Sequence, residues 1–120
     1  MPEGDTIHRT AAALHRALGG RVVTRFESVL VAVSRADDNH PIAGRTIERC
    51  EAIGKHVLVH FSGGLALRTH MRMSGAWHLY RPGERWQRPR GDMRVTIETE
   101  DRVAVAFNVH SAEVLDRAQL

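Results

Sequence analysis

The residues best equipped for chemistry stand first in the chain, Met1-Pro2-Glu3-Gly4. A proline in second place is a small residue behind which initiator methionine is commonly removed. Removal leaves a free secondary amine at Pro2, with the Glu3 carboxylate one residue away. Amines attack carbonyl-type carbons to form Schiff bases, and terminal amines also act as bases. With an ordinary pKa of about 7.7–8.0, an α-amino group is partly neutral near pH 7. A secondary amine yields an iminium, whose fixed positive charge makes it an electron sink. The competing reading is ordinary: proline at a first helical position and glutamate in a first turn are helix-start chemistry. Taken alone, Pro2-Glu3 favours that reading.

Two further stretches change the balance. Lys55 follows Gly54 and opens an expected strand, Lys55–Phe61, from which its side chain can face a cleft. It is the only lysine beside sixteen arginines. Lysine exchanges protons where arginine stays charged, so its retention here weakens the default view of a surface lysine. The second stretch is Thr69-His70-Met71-Arg72-Met73-Ser74-Gly75, between two expected strands. Gly75 implies a tight turn carrying Arg72 and Met73 near its tip. An apolar wedge beside an arginine is a device for entering a base stack, although spacing alone assigns one of the two methionines to the core.

The elements that must position these residues follow from periodicity. Ile7, Ala11, Leu14 and Leu18 recur at helical spacing behind Asp5 or Thr6 as cap, and Gly19-Gly20 stops the helix. Pro2 therefore stands at or before a helix amino end, whose partial positive charge disfavours a protonated amine. Beyond Gly20 the period becomes two. Arg21–Val33 is long and β-rich, and Ser34–Gly44 reads as a loop. Further strands are expected at Arg45–Ala52, Lys55–Phe61, Leu65–His70, Gly75–Tyr80, Met93–Thr99 and Arg102–Phe107. Ser62-Gly63-Gly64 signals a hairpin, Glu100-Asp101 a turn, and Arg81–Asp92 an exposed loop. Short strands without alternating helices predict a mainly β fold: an antiparallel two-sheet β-sandwich, or flattened barrel, with one amino-terminal α-helix.

Composition narrows the class. The chain has 120 residues, the length of one domain, and carries a net charge of +3. No apolar run reaches membrane-spanning length and no secretory leader is evident, so an intracellular protein is the default expectation. Cys50 is the only cysteine, and the eight histidines are scattered, with His56 and His60 the one close pair. A metal site is therefore not expected. Between Arg68 and Arg94 lie seven arginines and two acids, interleaved with Trp77, Tyr80 and Trp86. A nucleic-acid surface and a solvated loop explain that stretch equally well.

Together, Pro2-Glu3-Gly4, Gly54-Lys55 and His70-Met71-Arg72-Met73-Ser74-Gly75 resemble the formamidopyrimidine-DNA glycosylase/endonuclease VIII family in order and spacing over essentially the whole chain. The start Pro2-Glu3-Gly4-Asp5-Thr6 and the late Ala112-Glu113-Val114-Leu115 are closer to the endonuclease VIII branch. The resemblance implies base-excision repair of damaged DNA by a bifunctional glycosylase and abasic-site lyase, with oxidised pyrimidines as the branch-level substrate. It implies Schiff-base attack by Pro2, proton transfer by Glu3, and phosphate contact with assistance to elimination by Lys55. It further implies DNA contacts by His70, Arg72 and Met73, the last two filling the gap left by an extruded base. Arg72 departs from the glutamine frequent in that branch.

The family also has a helix–two-turns–helix module and a zinc or zincless hairpin, which are expected to lie beyond Leu120. This chain is then the amino-terminal catalytic domain, without a cofactor of its own, monomeric, and weak or inactive on duplex DNA alone. A non-catalytic nucleic-acid-binding β-module is the main alternative. A tautomerase with an amino-terminal proline base is weaker, because such chains begin with a strand rather than a helix.

Overall fold

The computed structural model describes residues 4–120. Helix α1 (Gly4–Leu18) is followed by strand β1 (Arg25–Ser28), helix α2 (Val31–Asn39), and strands β2 (Ile47–Ile53), β3 (His56–Phe61), β4 (Leu65–His70), β5 (Ala76–Tyr80), β6 (Met93–Glu98), β7 (Val103–Phe107) and β8 (Ser111–Asp116). All pairing is antiparallel, in two four-stranded sheets of order β1-β6-β7-β5 and β2-β3-β4-β8. The sheets stay separate, so the molecule is a sandwich and not a closed barrel.

The inner faces follow the period of two. Val57, Val59 and Phe61 of β3 and Leu65 and Leu67 of β4 share one core with Val95 and Ile97 of β6 and Ala104 and Ala106 of β7. Helix α1 joins this core through the expected stripe, Ile7, Ala11, Leu14 and Leu18, each buried. A smaller cluster of Tyr80, Val103, Val105 and Phe107 occupies the outer face of the first sheet, where Trp86 and Met93 cover it. The segment 81–92 is mostly exposed, as expected, but Trp86 anchors it to this cluster and it ends in a short 3-10 turn, Arg90–Asp92.

Two elements differ from expectation. The stretch 21–33 yields only the four-residue β1, and α2 occupies most of the expected loop. Ser28 explains the break: its Oγ accepts the Leu30 N–H at 3.1 Å and donates to the Arg94 carbonyl at 2.7 Å, turning the chain out of the sheet. Helix α2 was hidden because its interior carries one fully buried residue, Val33. Asp37 then closes its far side by accepting the Ile42 N–H. The second difference is β8, which completes the second sheet beside β4.

Candidate active site and nucleic-acid interface

Ile53 pairs with His56, leaving Gly54-Lys55 as a two-residue hairpin turn. Gly54 has φ 60 at the first central position, as a type II′ turn requires. Lys55 is therefore a turn residue, exposed beyond the sheet edge, and β3 begins one residue later than expected.

The β3–β4 register sets His56 opposite His70, which brings the end of β4 beside that turn. The Met71 N–H points to the Lys55 carbonyl at 3.5 Å, and Gly75 N–H closes a turn onto the Met71 carbonyl at 3.0 Å. Gly75 is obligatory on steric grounds, since a Cβ there would lie 2.2 Å from the Met71 oxygen. Arg72 takes a left-handed φ of 50, a conformation that costs a non-glycine residue about 1–2 kcal/mol. The two methionines divide as spacing required: Met71 is 2% exposed and Met73 73%. Met71 is seated beside Thr69, whose hydroxyl accepts the Trp77 indole N–H at 3.1 Å. Met73 projects into solvent with Arg72.

Histidines gather behind these two turns. The His56 and His70 rings lie 4.6 Å apart, and His110 meets His70 edge-on at 5.5 Å. Burial lowers the His70 pKa, and the positive surroundings of His56, Arg72, His110 and Lys55 lower it further. Both effects favour the neutral His70 ring. His56 and His110 were not singled out as site residues in the sequence. His56 could have been, because a hairpin centred on Gly63 places positions 56 and 70 in register. No local signal marks His110, which arrives from the β7–β8 connection. His60 turns elsewhere, to Glu51 at 2.5 Å.

Pro2 and Glu3 lie outside the described residues, but the direction of α1 is clear. Gly20 N–H bonds to the Ile47 carbonyl, and His15 Nδ1 accepts the Cys50 N–H at 3.2 Å, so α1 runs against β2. From His15 back to Gly4 the helix covers about 16 Å. From Cys50 forward to Lys55 the strand covers about the same. Thr6 also lines a cleft with Trp77 and Leu79 of β5. The beginning of α1 and the two turns thus share one end of the sandwich.

The arginine-rich stretch divides by residue type. Trp77 and Tyr80 are buried, while Trp86 stacks towards Tyr80 and carries the Arg90 guanidinium 4.2 Å above its ring. The aromatics anchor the structure, and Arg72, Arg81, Arg85 and Arg90 supply the exposed charge. Cys50 offers no nucleophile, because burial pushes its thiol up to about 12. Among the described residues, no three His, Cys, Asp or Glu side chains converge in a way that could hold a metal ion.

Comparison with known proteins bears on the family and the fold. Residues 1–110 match the model of the formamidopyrimidine-DNA glycosylase N-terminal domain. The chain is 38% identical over 120 residues to a Streptomyces coelicolor protein named "Probable endonuclease 8 2", covering 99% of this chain and 42% of that one. It is 33% identical to the Mycolicibacterium smegmatis DNA-(apurinic or apyrimidinic site) lyase Nei2, covering 98% and 43% respectively. It therefore spans less than half the length of these relatives. In three dimensions it superposes on Lactococcus lactis formamidopyrimidine-DNA glycosylase, solved bound non-covalently to DNA with an AP site, at a TM-score of 0.82. That pair shares 17% identity over 98% of this chain and 46% of the other, a likeness of fold. On the family match, the chain belongs to the formamidopyrimidine-DNA glycosylase family and carries its amino-terminal domain.

Proposed function

We propose that this chain is the catalytic portion of a base-excision repair enzyme, a DNA glycosylase with abasic-site lyase activity acting on oxidised bases, pyrimidines first. The observation that carries this reading is the convergence of the Gly54-Lys55 and Met71–Gly75 turns at the end of the sandwich where α1 begins. That end carries Lys55 and the exposed Met73, and Pro2-Glu3 immediately precede α1 in the sequence of this family member, which supports giving the amine and the carboxyl group their roles in the same chemistry.

The chemistry balances with these groups alone. With Met1 removed, the Pro2 nitrogen forms a bond to C1′ while the glycosidic bond breaks, and Glu3 manages the proton passed to the departing base and sugar oxygen. Ring opening leaves a C1′ iminium, which acidifies the C2′ hydrogen. Loss of that proton expels the 3′ phosphate and cuts the strand. Lys55 holds the phosphate and assists this elimination. The positive end of α1 favours the neutral amine beforehand. Met73 and Arg72 fill the space left by the extruded nucleotide, and His70 adds a phosphate contact that strengthens on protonation. These 120 residues span less than half the length of the matched relatives, so efficient duplex nicking is not expected of them alone.

Borohydride reduction with abasic-site DNA tests the proposal. A covalent adduct mapped to Pro2, in protein whose intact mass lacks Met1, is the expected result. Salt-sensitive binding without trapping would instead identify a non-catalytic binding module. Activity in a preparation that quantitatively retains Met1 would rule out the amine.

A further inference from the structure

Met73 is exposed and belongs to neither hydrophobic cluster among the described residues, yet the turn beneath it is held from outside. Segment 81–92 lies on the outer face of the first sheet, where Trp86 packs edge-on to Phe107 at 5.6 Å and the Gln87 N–H bonds to the Tyr80 hydroxyl at 2.9 Å. From that anchored base Arg88 reaches across. Its Nη1 donates to the Ser74 carbonyl at 3.2 Å, with the guanidinium 6.0 Å from the Phe107 ring centroid. A second strut meets the same residue: Ser74 Oγ donates to the Asn108 carbonyl at 3.3 Å. Asn108 N–H in turn donates to the Asp92 carbonyl at 2.9 Å, at the other end of the segment. Asn108 adopts a left-handed φ of 54, one of two non-glycine residues among those described to do so; the other is Arg72 in the braced turn.

We propose that Arg88 is a positioning residue for Met73: acting through the Ser74 carbonyl, with Asn108 as second strut, it sets the Met71–Gly75 turn at the height from which Met73 enters the base stack. The inference rests on the repair reading for the role of Met73, but the brace itself is independent of it. An exposed turn carbonyl left to water would satisfy its hydrogen bond at little cost, so the two struts matter for geometry more than for stability. A wedge fixed before DNA arrives enters without first ordering its own backbone.

The competing role for Arg88 is a direct phosphate contact, and the two differ in salt dependence. Loss of a phosphate contact lowers the slope of log affinity against log salt by about 0.9, whereas loss of a brace leaves it unchanged. The test compares wild type, Arg88→Gln, Ser74→Ala and the double variant, using a duplex with a tetrahydrofuran abasic analogue opposite 2-aminopurine. Methyl NMR of Met71, Met73 and Met93 is recorded without DNA. Either single variant is expected to move and sharpen the Met73 methyl signal and cut the 2-aminopurine response by about tenfold, with unchanged salt slope and a non-additive double variant. A lowered slope with an intact 2-aminopurine response would overturn the proposal, as would a Met73 signal indifferent to both substitutions. Should wild type leave 2-aminopurine unmoved, the repair reading falls while the methyl comparison still judges the brace. Arg88→Met, which keeps the aliphatic stem near Phe107 and removes the donor to the Ser74 carbonyl, decides the matter if Arg88→Gln does not fold.

Discussion

Lys55 illustrates what one residue contributes through its chemistry alone. It stands exposed in a two-residue turn, outside both hydrophobic clusters, and has no ion-pair partner among the described residues. Lys55→Arg keeps the charge and removes the exchangeable ammonium. Stability in urea should change by no more than about 0.5 kcal/mol, as for a surface substitution. On the proposed function, lyase turnover should fall by about 100-fold, the lower range for losing a proton-transfer group. An unchanged rate would remove Lys55 from the mechanism. Its candidacy was legible because a chain otherwise committed to arginine retained one lysine. Its position in the turn was less so, since Ile53 and His56 pair only once the hairpin closes.

Among the elements, the Met71–Gly75 turn shows how little sequence defines a structural device. Gly75 permits the close approach, and its carbonyl partner is backbone that cannot swing aside. Gly75→Ala should therefore destabilise the fold by about 1–3 kcal/mol, measured by urea denaturation, because the turn must open to admit the methyl group. A loss near zero would mean that the turn relaxes freely and that Met73 is not held. Spacing showed that one methionine belonged to the core; strand pairing chose Met71, which sits beside Thr69 and Trp77. Helix α2 was misread because one buried valine gives almost no periodic signal, whereas α1, with a full apolar stripe, was plain. Strand β8 escaped notice because Ser111–Asp116 has only one buried residue, Leu115.

Across the whole molecule, pH dependence should arise from histidines that separate elements bring together. His70 is lowered from 6.5 by burial, then by His56, Arg72, His110 and Lys55. A histidine with a depressed folded pKa opposes folding once it must be protonated. Its stabilising effect is complete above the unfolded value of about 6.5 and is lost as pH falls through the folded value. DNA binding should respond in the opposite direction, because a phosphate favours the protonated ring. Affinity for abasic-site DNA at fixed salt should rise as pH falls from 7.5 towards 5.5, with a shallower rise in His70→Gln. Identical pH profiles for wild type and His70→Gln would remove His70 from the DNA contact. The molecule is thus slightly less stable in the condition in which this surface is most positive.

Residue types and short-range periods were enough to state the class of fold and the strands of the inner core, and they made Pro2, Glu3 and Lys55 candidates for chemistry. Those features depend on side-chain character and on contacts between near neighbours. Hairpin symmetry about Gly63 even contained the meeting of His56 with His70. The arrival of His110, the direction of α1 along β2, and the reach of Arg88 to Ser74 depend on packing between segments distant in the chain. No local pattern encodes such contacts; they form when two sheets and a helix close over one apolar core. The order of residues supplied the candidates, and the closing of the sandwich placed the Lys55 turn, the Met71–Gly75 turn and the Arg88–Ser74 contact by packing between distant segments.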